Sequence, residues 1–197
     1  IKDKIEYYSI IRTKNAIYRS NIVIVMIDAI KGFSKQDKSI IDETIKSGKG
    51  LIIIVNKWDL IKKENNTMNN YIKNIRFQFK SLDYYPILFI SALTKQRIHK
   101  VLKTSWEVFD RINNQISTKR LNDVLKFILK KNPPPSQKGK AIQIKYLTQV
   151  SKEPCIIALY LNYPNLIKTS YKRFLENRIR ENFDLSGVAL KLSFRKK

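Results

Sequence analysis

Five consecutive branched apolar residues, Leu51-Ile52-Ile53-Ile54-Val55, run straight into Asn56-Lys57-Trp58-Asp59. A strand with one wet face alternates apolar and polar residues. A short unbroken run is instead a strand covered on both faces, which is the habit of parallel sheets flanked by helices. Ile22 to Asp28 is a second such run, expected to be buried on both faces, and Pro86 to Ile90 a third. Helices are expected around them over Ile5 to Ser20, Ser34 to Ser47, Asn66 to Lys80 and Arg97 to Ile112. Ser34 supplies an N-cap and Gly48 a stop for the second of these, with Ile40, Ile41 and Ile45 between. In the last, Ile98, Val101, Leu102, Ser105 and Phe109 recur at helical spacing, and Trp106 is placed with them in the core. Strands alternating with helices predict an α/β domain with a mostly parallel sheet over residues 1–116.

The pattern changes after Ile116. Ser117 can cap a helix carrying Leu121, Val124, Leu125, Ile128 and Leu129, which stops at Asn132 before Pro133-Pro134-Pro135. A strand comes next with Ile142, Ile144, Tyr146, Thr148 and Val150 expected on one face, then the apolar strand Cys155 to Leu161. Lys168 to Asn182 reads as a helix with Tyr171, Phe174, Leu175 and Ile179 inward, and the last strand alternates through Val188, Leu190, Leu192 and Phe194. Residues 117–197 are therefore expected to form a small α+β domain of α-β-β-α-β order.

Several function classes are excluded at this stage. The longest apolar runs are too short to span a bilayer, so no membrane partner is expected. A single cysteine, Cys155, forbids an internal disulfide, suits a reducing compartment such as the cytoplasm, and is expected in the core. With one histidine, His99, and no Cys or carboxylate cluster beside it, no metal site and no Ser-His-Asp or Cys-His centre can be built; no catalytic residue is assigned.

Charge is the other constraint: 39 Lys and Arg against 16 Asp and Glu give +23. Lys (29), Ile (30) and Asn (16) are all encoded by A/T-rich codons, so a solvated lysine surface and a selected polyanion-binding surface both account for the excess. Its distribution is uneven. Residues 1–116 carry 21 bases and 11 acids, whereas the shorter stretch 117–197 carries 18 and 5. Lys168, Lys172, Arg173, Arg178 and Arg180 on one helix, with Lys138, Lys140 and Arg195 nearby in sequence, are the candidate RNA-phosphate contacts, with the alternative that they only solvate the outer face of that helix.

Asn-Lys-x-Asp at a strand's carboxyl end is what a guanine site needs. Ligands of open α/β sheets bind at that end. A carboxylate at Asp59 can accept from guanine N1–H and the exocyclic amine, donors that adenine lacks on that edge. The Lys57 stem can lie along the base, and Asn56 can bond the base and tie the neighbouring loop. After the next strand, Ser91-Ala92-Leu93 offers small side chains and the Ala92 N–H for guanine O6. A polar turn with Asp59 as a cap is the structural alternative.

These residues resemble the second GTPase domain of the Der (EngA) family, bacterial tandem GTPases of ribosome assembly. The resemblance rests on Asn56-Lys57-Trp58-Asp59-Leu60 and Ile90-Ser91-Ala92-Leu93-Thr94, and extends through Tyr8-Ser9, Arg12, Ile27-Asp28-Ala29, Pro133-Pro134-Pro135, Thr148-Gln149-Val150 and Ser170 to Asn177. It implies part of a P-loop GTPase domain followed by a KH-like domain. It further implies GTP or GDP as ligand, held by Asn56, Lys57, Trp58, Asp59, Ser91, Ala92 and Leu93. Mg2+ in the full-length protein, the large ribosomal subunit and its rRNA as partners, a monomer, and cytoplasmic action are implied as well.

Departures from the family pattern shape the expectation. No Gly-x-x-x-x-Gly-Lys-Ser/Thr occurs in a chain with only five glycines, and the switch threonine and preceding Asp-x-x-Gly are missing. Ile1 is expected to fall within or just after switch II, with a first GTPase domain upstream, and residues 1–197 alone are expected not to hydrolyse GTP. Loss of the P-loop strand should expose apolar sheet surface. The KH Gly-x-x-Gly loop is also absent, so phosphate contact rather than base-specific reading is expected of the C-terminal part. Two alternatives stand beside this reading: a non-enzymatic RNA-binding module with a degenerate nucleotide site, and an Era-type GTPase with a KH tail.

Overall fold

The structure, a computed structural model, describes residues 2–197, with side chains from Ile10 onward. The side chains of Ile5, Tyr8 and Ser9, and the position of Ile1, lie outside the described residues. The chain divides into two compact units: residues 1–111 with 186–189, and residues 112–185 with 190–197.

In the first unit, helix α1 (Lys2–Arg19) leads into strand β1 (Ile22–Asp28), helix α2 (Lys35–Ser47) and strand β2 (Gly50–Asn56). Helix α3 (Thr67–Gln78), strand β3 (Ile87–Phe89) and helix α4 (Ile98–Asn113) come after these. The sheet order is β1-β2-β3, all parallel. Leu51 to Val55 are buried, as the unbroken apolar run requires. The register aligns Ile22 with Gly50 and Asp28 with Asn56, so both strands end on polar residues at the same edge of the sheet. Local chemistry supports the helices. Ser34 and Asp37 form a reciprocal capping box, and Gly48 closes α2 in the left-handed conformation at φ 76°.

Two expectations fail here. Strand β1 is not buried on both faces: Ile24 is 42% and Met26 52% exposed, while Val25 and Ile27 are inside. It is an edge strand, and within the described residues only one of its faces is covered. The exposed surface expected for this sheet therefore falls on β1. Trp106 is not in the core either, being 68% exposed. Helix α4 carries two apolar stripes, and the one that turns inward in this unit holds Val108, leaving Leu102 and Trp106 outside.

The second unit has helix α5 (Thr118–Lys131), strands β4 (Ile144–Ser151) and β5 (Cys155–Leu161), helix α6 (Thr169–Asn182) and strand β6 (Leu190–Lys196). This is the expected α-β-β-α-β order, with β5 central, antiparallel to β4 and parallel to β6. Ser117 precedes α5, but its side chain makes no capping bond. The expected face of β4 is also corrected. A bulge between Ile144 and Tyr146 shifts the register, so Ile144, Leu147 and Gln149 point inward while Val150 is exposed. The Asn122 side-chain amide donates to Leu147 O and accepts from Leu147 N, both at 2.9 Å, standing in for a strand partner at this edge. Cys155 is buried as expected, and burial pushes its thiol up to about 11.

Gly187 belongs with the first unit. It donates to Tyr84 O and accepts from Leu51 N, both at 2.9 Å, at the amino end of β2. Its φ is +81°, and a Cβ there would lie 2.5 Å from Val108 Cγ2. Gly187→Ala combines left-handed strain with overpacking against a stiff, buried valine, so a loss of about 2–4 kcal/mol is expected, read as a lowered thermal midpoint.

Candidate functional site

The carboxyl ends of β1, β2 and β3 bring together three loops that are far apart in sequence. Ile90 N donates to Val55 O at 2.9 Å and Trp58 N to Ile90 O at 3.0 Å, stitching the loop after β2 to the loop after β3. On the other side, Ala29 N donates to Asn56 O at 2.9 Å. The chain turns at Lys57, whose left-handed φ of 61° starts the short 3-10 turn Trp58–Leu60. An αL lysine carries a backbone cost, met here by the surrounding hydrogen bonds.

Side chains complete the frame. The Ala92 N–H donates to Asn56 Oδ1 at 2.9 Å, joining the two motif loops directly. From the sequence this amide was expected to meet guanine O6; in the structure its acceptor is Asn56. The buried Ser91 accepts from Thr94 N at 3.1 Å through Oγ, while its own N–H donates to Gln96 O at 3.2 Å. Lys95 and Arg97 complete that turn at φ 59° and 60°. Leu93 is 87% exposed at its tip. Asp59 is half-buried as a residue, and no hydrogen bond or ion pair joins its carboxylate to another described residue.

Trp58 differs from its expected role. Its indole turns away from the loop surface into the core, 2% exposed, edge-on to Tyr71 at 5.5 Å and tilted against Phe89 at 4.4 Å. An apolar ring beside the buried ends of β2 and β3 gains more by packing than by facing water, so Trp58 anchors the loop from beneath.

Asp28 is given no catalytic role from the sequence, yet at this edge it gathers an ion pair and two amide bonds. Its Oδ2 lies 2.7 Å from Lys57 Nζ, and its Oδ1 accepts from Ile30 N at 2.8 Å and Lys31 N at 3.2 Å. The Lys57 ammonium, then the Ile30 amide, hold the Asp28 carboxyl down at about 2. The shared end point of β1 and β2 was the only signal that could have paired them. Tyr71 extends the frame by donating to Ala29 O at 2.9 Å.

The candidate RNA contacts on α6 divide. Lys168 and Arg173 are exposed, and Lys172 lies over the Phe194 ring at 4.9 Å. Arg178 is exposed but paired with Glu181 at 2.7 Å. Arg180 is a correction: its side chain is 6% exposed, held by Glu176 at 3.1 Å and by Leu185 O at 3.4 Å, so it braces the helix instead of presenting charge. Among the described residues, no group of three or more His, Cys, Asp or Glu is placed to hold a metal, and no helix is long and apolar enough to cross a membrane. The Asp28 carboxylate is committed to Lys57 and two amides.

Comparison with known proteins decides the family. Residues 10–127 match the elongation factor Tu GTP binding domain, and residues 115–195 match the KH-domain-like C-terminal domain of EngA bacterial GTPase enzymes. The chain belongs to the Der (EngA) family of GTPases. It is 43% identical over its full length to GTPase Der of Chloroherpeton thalassium and 45% identical to GTPase Der of Thermoanaerobacter pseudethanolicus. In both cases it spans 45% of the relative's length. A crystal structure of Aquifex aeolicus Era bound to GDP·AlF4− is 18% identical, covering 93% of this chain and 67% of that one. Its TM-score is 0.42.

The Asp28–Lys57 pair makes a pH prediction. A carboxyl held low contributes stability above its unfolded value, near 3.8, and that contribution is lost as the pH falls through about 2. An NMR titration of the Asp28 carboxyl is expected to show its midpoint near 2. In Lys57→Ala the midpoint should rise only part-way towards 3.8, because the Ile30 and Lys31 amides remain.

Proposed function

We propose that the loops after β2 and β3 hold the guanine base of GTP or GDP. The observation that carries this reading is the 2.9 Å bond from Ala92 N–H to Asn56 Oδ1, which sets the Asn-Lys-x-Asp loop and the Ser-Ala-Leu loop in one frame. The carboxylate of the half-buried Asp59 residue would accept from N1–H and the exocyclic amine, and the Lys57 stem would lie along the ring. Guanine O6 would draw the Ala92 amide from Asn56, with Ser91 and Leu93 closing the edge of the site. Trp58 contributes by anchoring the loop.

At the level of the whole protein, we propose a GTP-hydrolysing factor acting in the cytoplasm on the large ribosomal subunit, as the family resemblance implies. GTP supplies the phosphoryl chemistry when bound, while the residues described here bind and orient its base. Residues 1–197 by themselves are proposed not to turn over GTP, since phosphoryl transfer depends on phosphate and Mg2+ contacts. Lys168, Lys172 and Arg173 are the proposed rRNA-phosphate contacts on α6, supported by the surplus of 18 bases over 5 acids in residues 117–197.

Asp59→Asn tests the base-reading step in the full-length protein. An amide donor facing the exocyclic amine should cut GDP affinity by about 100-fold or more, as expected when a paired polar group is left unmatched, while improving XDP, whose C2 carbonyl accepts. Equal effects on GDP and XDP in competition binding would remove Asp59 from the guanine edge.

A further inference from the structure

The second unit carries a surface that the α6 reading does not use. Side chains on alternate positions of a strand point to opposite faces. Cys155, Ile157, Leu159 and Leu161 face the core, so Tyr160 faces the other way, paired across the sheet with Tyr146 on β4 and Arg195 on β6. The bulge in β4 brings Tyr146 opposite Tyr160. The two rings stack at 4.4 Å with an interplanar angle of 13°.

Cations gather round these rings. Arg195 lies 6.0 Å from the Tyr160 ring centre with Nη1 3.4 Å from its hydroxyl, and Lys197 lies 5.2 Å from the Tyr146 ring. At the same end of β5, Lys140 lies 5.1 Å from the Tyr163 ring. None of the strands β4, β5 and β6 contains a carboxylate, and Arg195 shares the face of Tyr160, its register partner. A face of stacked aromatics bordered by cations that lie against the rings complements a flexible polyanion whose units carry π-faces. Bases can continue the tyrosine stack while Arg195 and Lys197 meet phosphates.

We propose that the sheet face of the C-terminal unit around Tyr146, Tyr160, Arg195 and Lys197 binds single-stranded RNA, with little choice of sequence. The assignment rests on the RNA-contact reading above and places a second contact surface across the sheet from α6. Stacking and phosphate contact separate experimentally: cations set the salt slope, whereas aromatic contacts change affinity without changing it.

The test is fluorescence anisotropy of the full-length protein with a mixed-sequence single-stranded RNA of about 12 nucleotides, across a salt series. Arg195→Ala with Lys197→Ala is expected to weaken binding and to make the log K against log salt slope shallower by about 1.4, or about 0.7 per lost phosphate contact. Tyr160→Leu is expected to weaken binding roughly 5- to 100-fold at unchanged slope and unchanged melting temperature. Should Tyr160→Leu lower the melting temperature, the exposed Arg195/Lys197 pair decides alone. Unaltered affinity and slope in that pair, with binding weakened by Lys172→Ala and Arg173→Ala, would overturn the sheet-face assignment and leave that face to another occupant such as an acidic protein segment. Equal competition by a duplex of the same sequence would overturn the single-strand assignment. No RNA binding by the wild-type protein would overturn the α6 contacts as well.

Discussion

Burial of β2 on both faces is the constraint on which the first unit depends. Leu51 to Val55 remove their side chains from water only if strands pair on both edges and helices cover both faces. The pairing with β1 and β3 is parallel, and parallel register carries all three chain ends to one side. Asp28, Asn56 and the Ile90–Ala92 loop meet there as a consequence. The loop bonds then convert that meeting into a frame: Ala29 and Trp58 through the backbone, Ala92 through the Asn56 side chain. The indole of Trp58 is the buried counterpart of this frame, holding the turn from the core side.

The positive charge divides according to what surrounds each group. Lys57 belongs to a close ion pair, and Arg180 to a nearly buried one that braces α6. Arg178 is matched at the surface by Glu181, where exposure keeps the pair weak. On the outer face of the second sheet, Arg195 and Lys197 meet aromatic rings instead of carboxylates. A total of +23 therefore says little about where a polyanion binds; the local ratio of cations to carboxylates says more.

Much of the fold was legible because its signals are local. Unbroken apolar runs, the Ser34–Asp37 capping box, Gly48 and the Pro133–Pro135 stop each act over a few residues. Element order in both units came from them. The failures arose where distant packing decides. Ile24 and Met26 have the composition of a doubly buried strand but lie on an edge. Trp106 lies on one of two apolar stripes of α4, and the spacing cannot say which stripe turns inward. One unpaired residue in β4 reverses the face of the residues beyond it, and no alternation pattern marks it.

By itself the sequence determined the strand and helix order, the family, and the presence of an Asn-Lys-x-Asp loop at a strand's carboxyl end. Those properties are written in contiguous residues, where propensity, capping and motif chemistry act. Only the tertiary structure decided that Asp28 holds Lys57, that Trp58 points inward, that Arg180 is committed to Glu176, and that Tyr146 stacks on Tyr160. The Asp28–Lys57 and Tyr146–Tyr160 contacts depend on register across a sheet, and the burial of Trp58 and Arg180 on which side of an element the core occupies. Both are settled by packing between segments remote in the chain, which leaves no periodic trace in either segment alone.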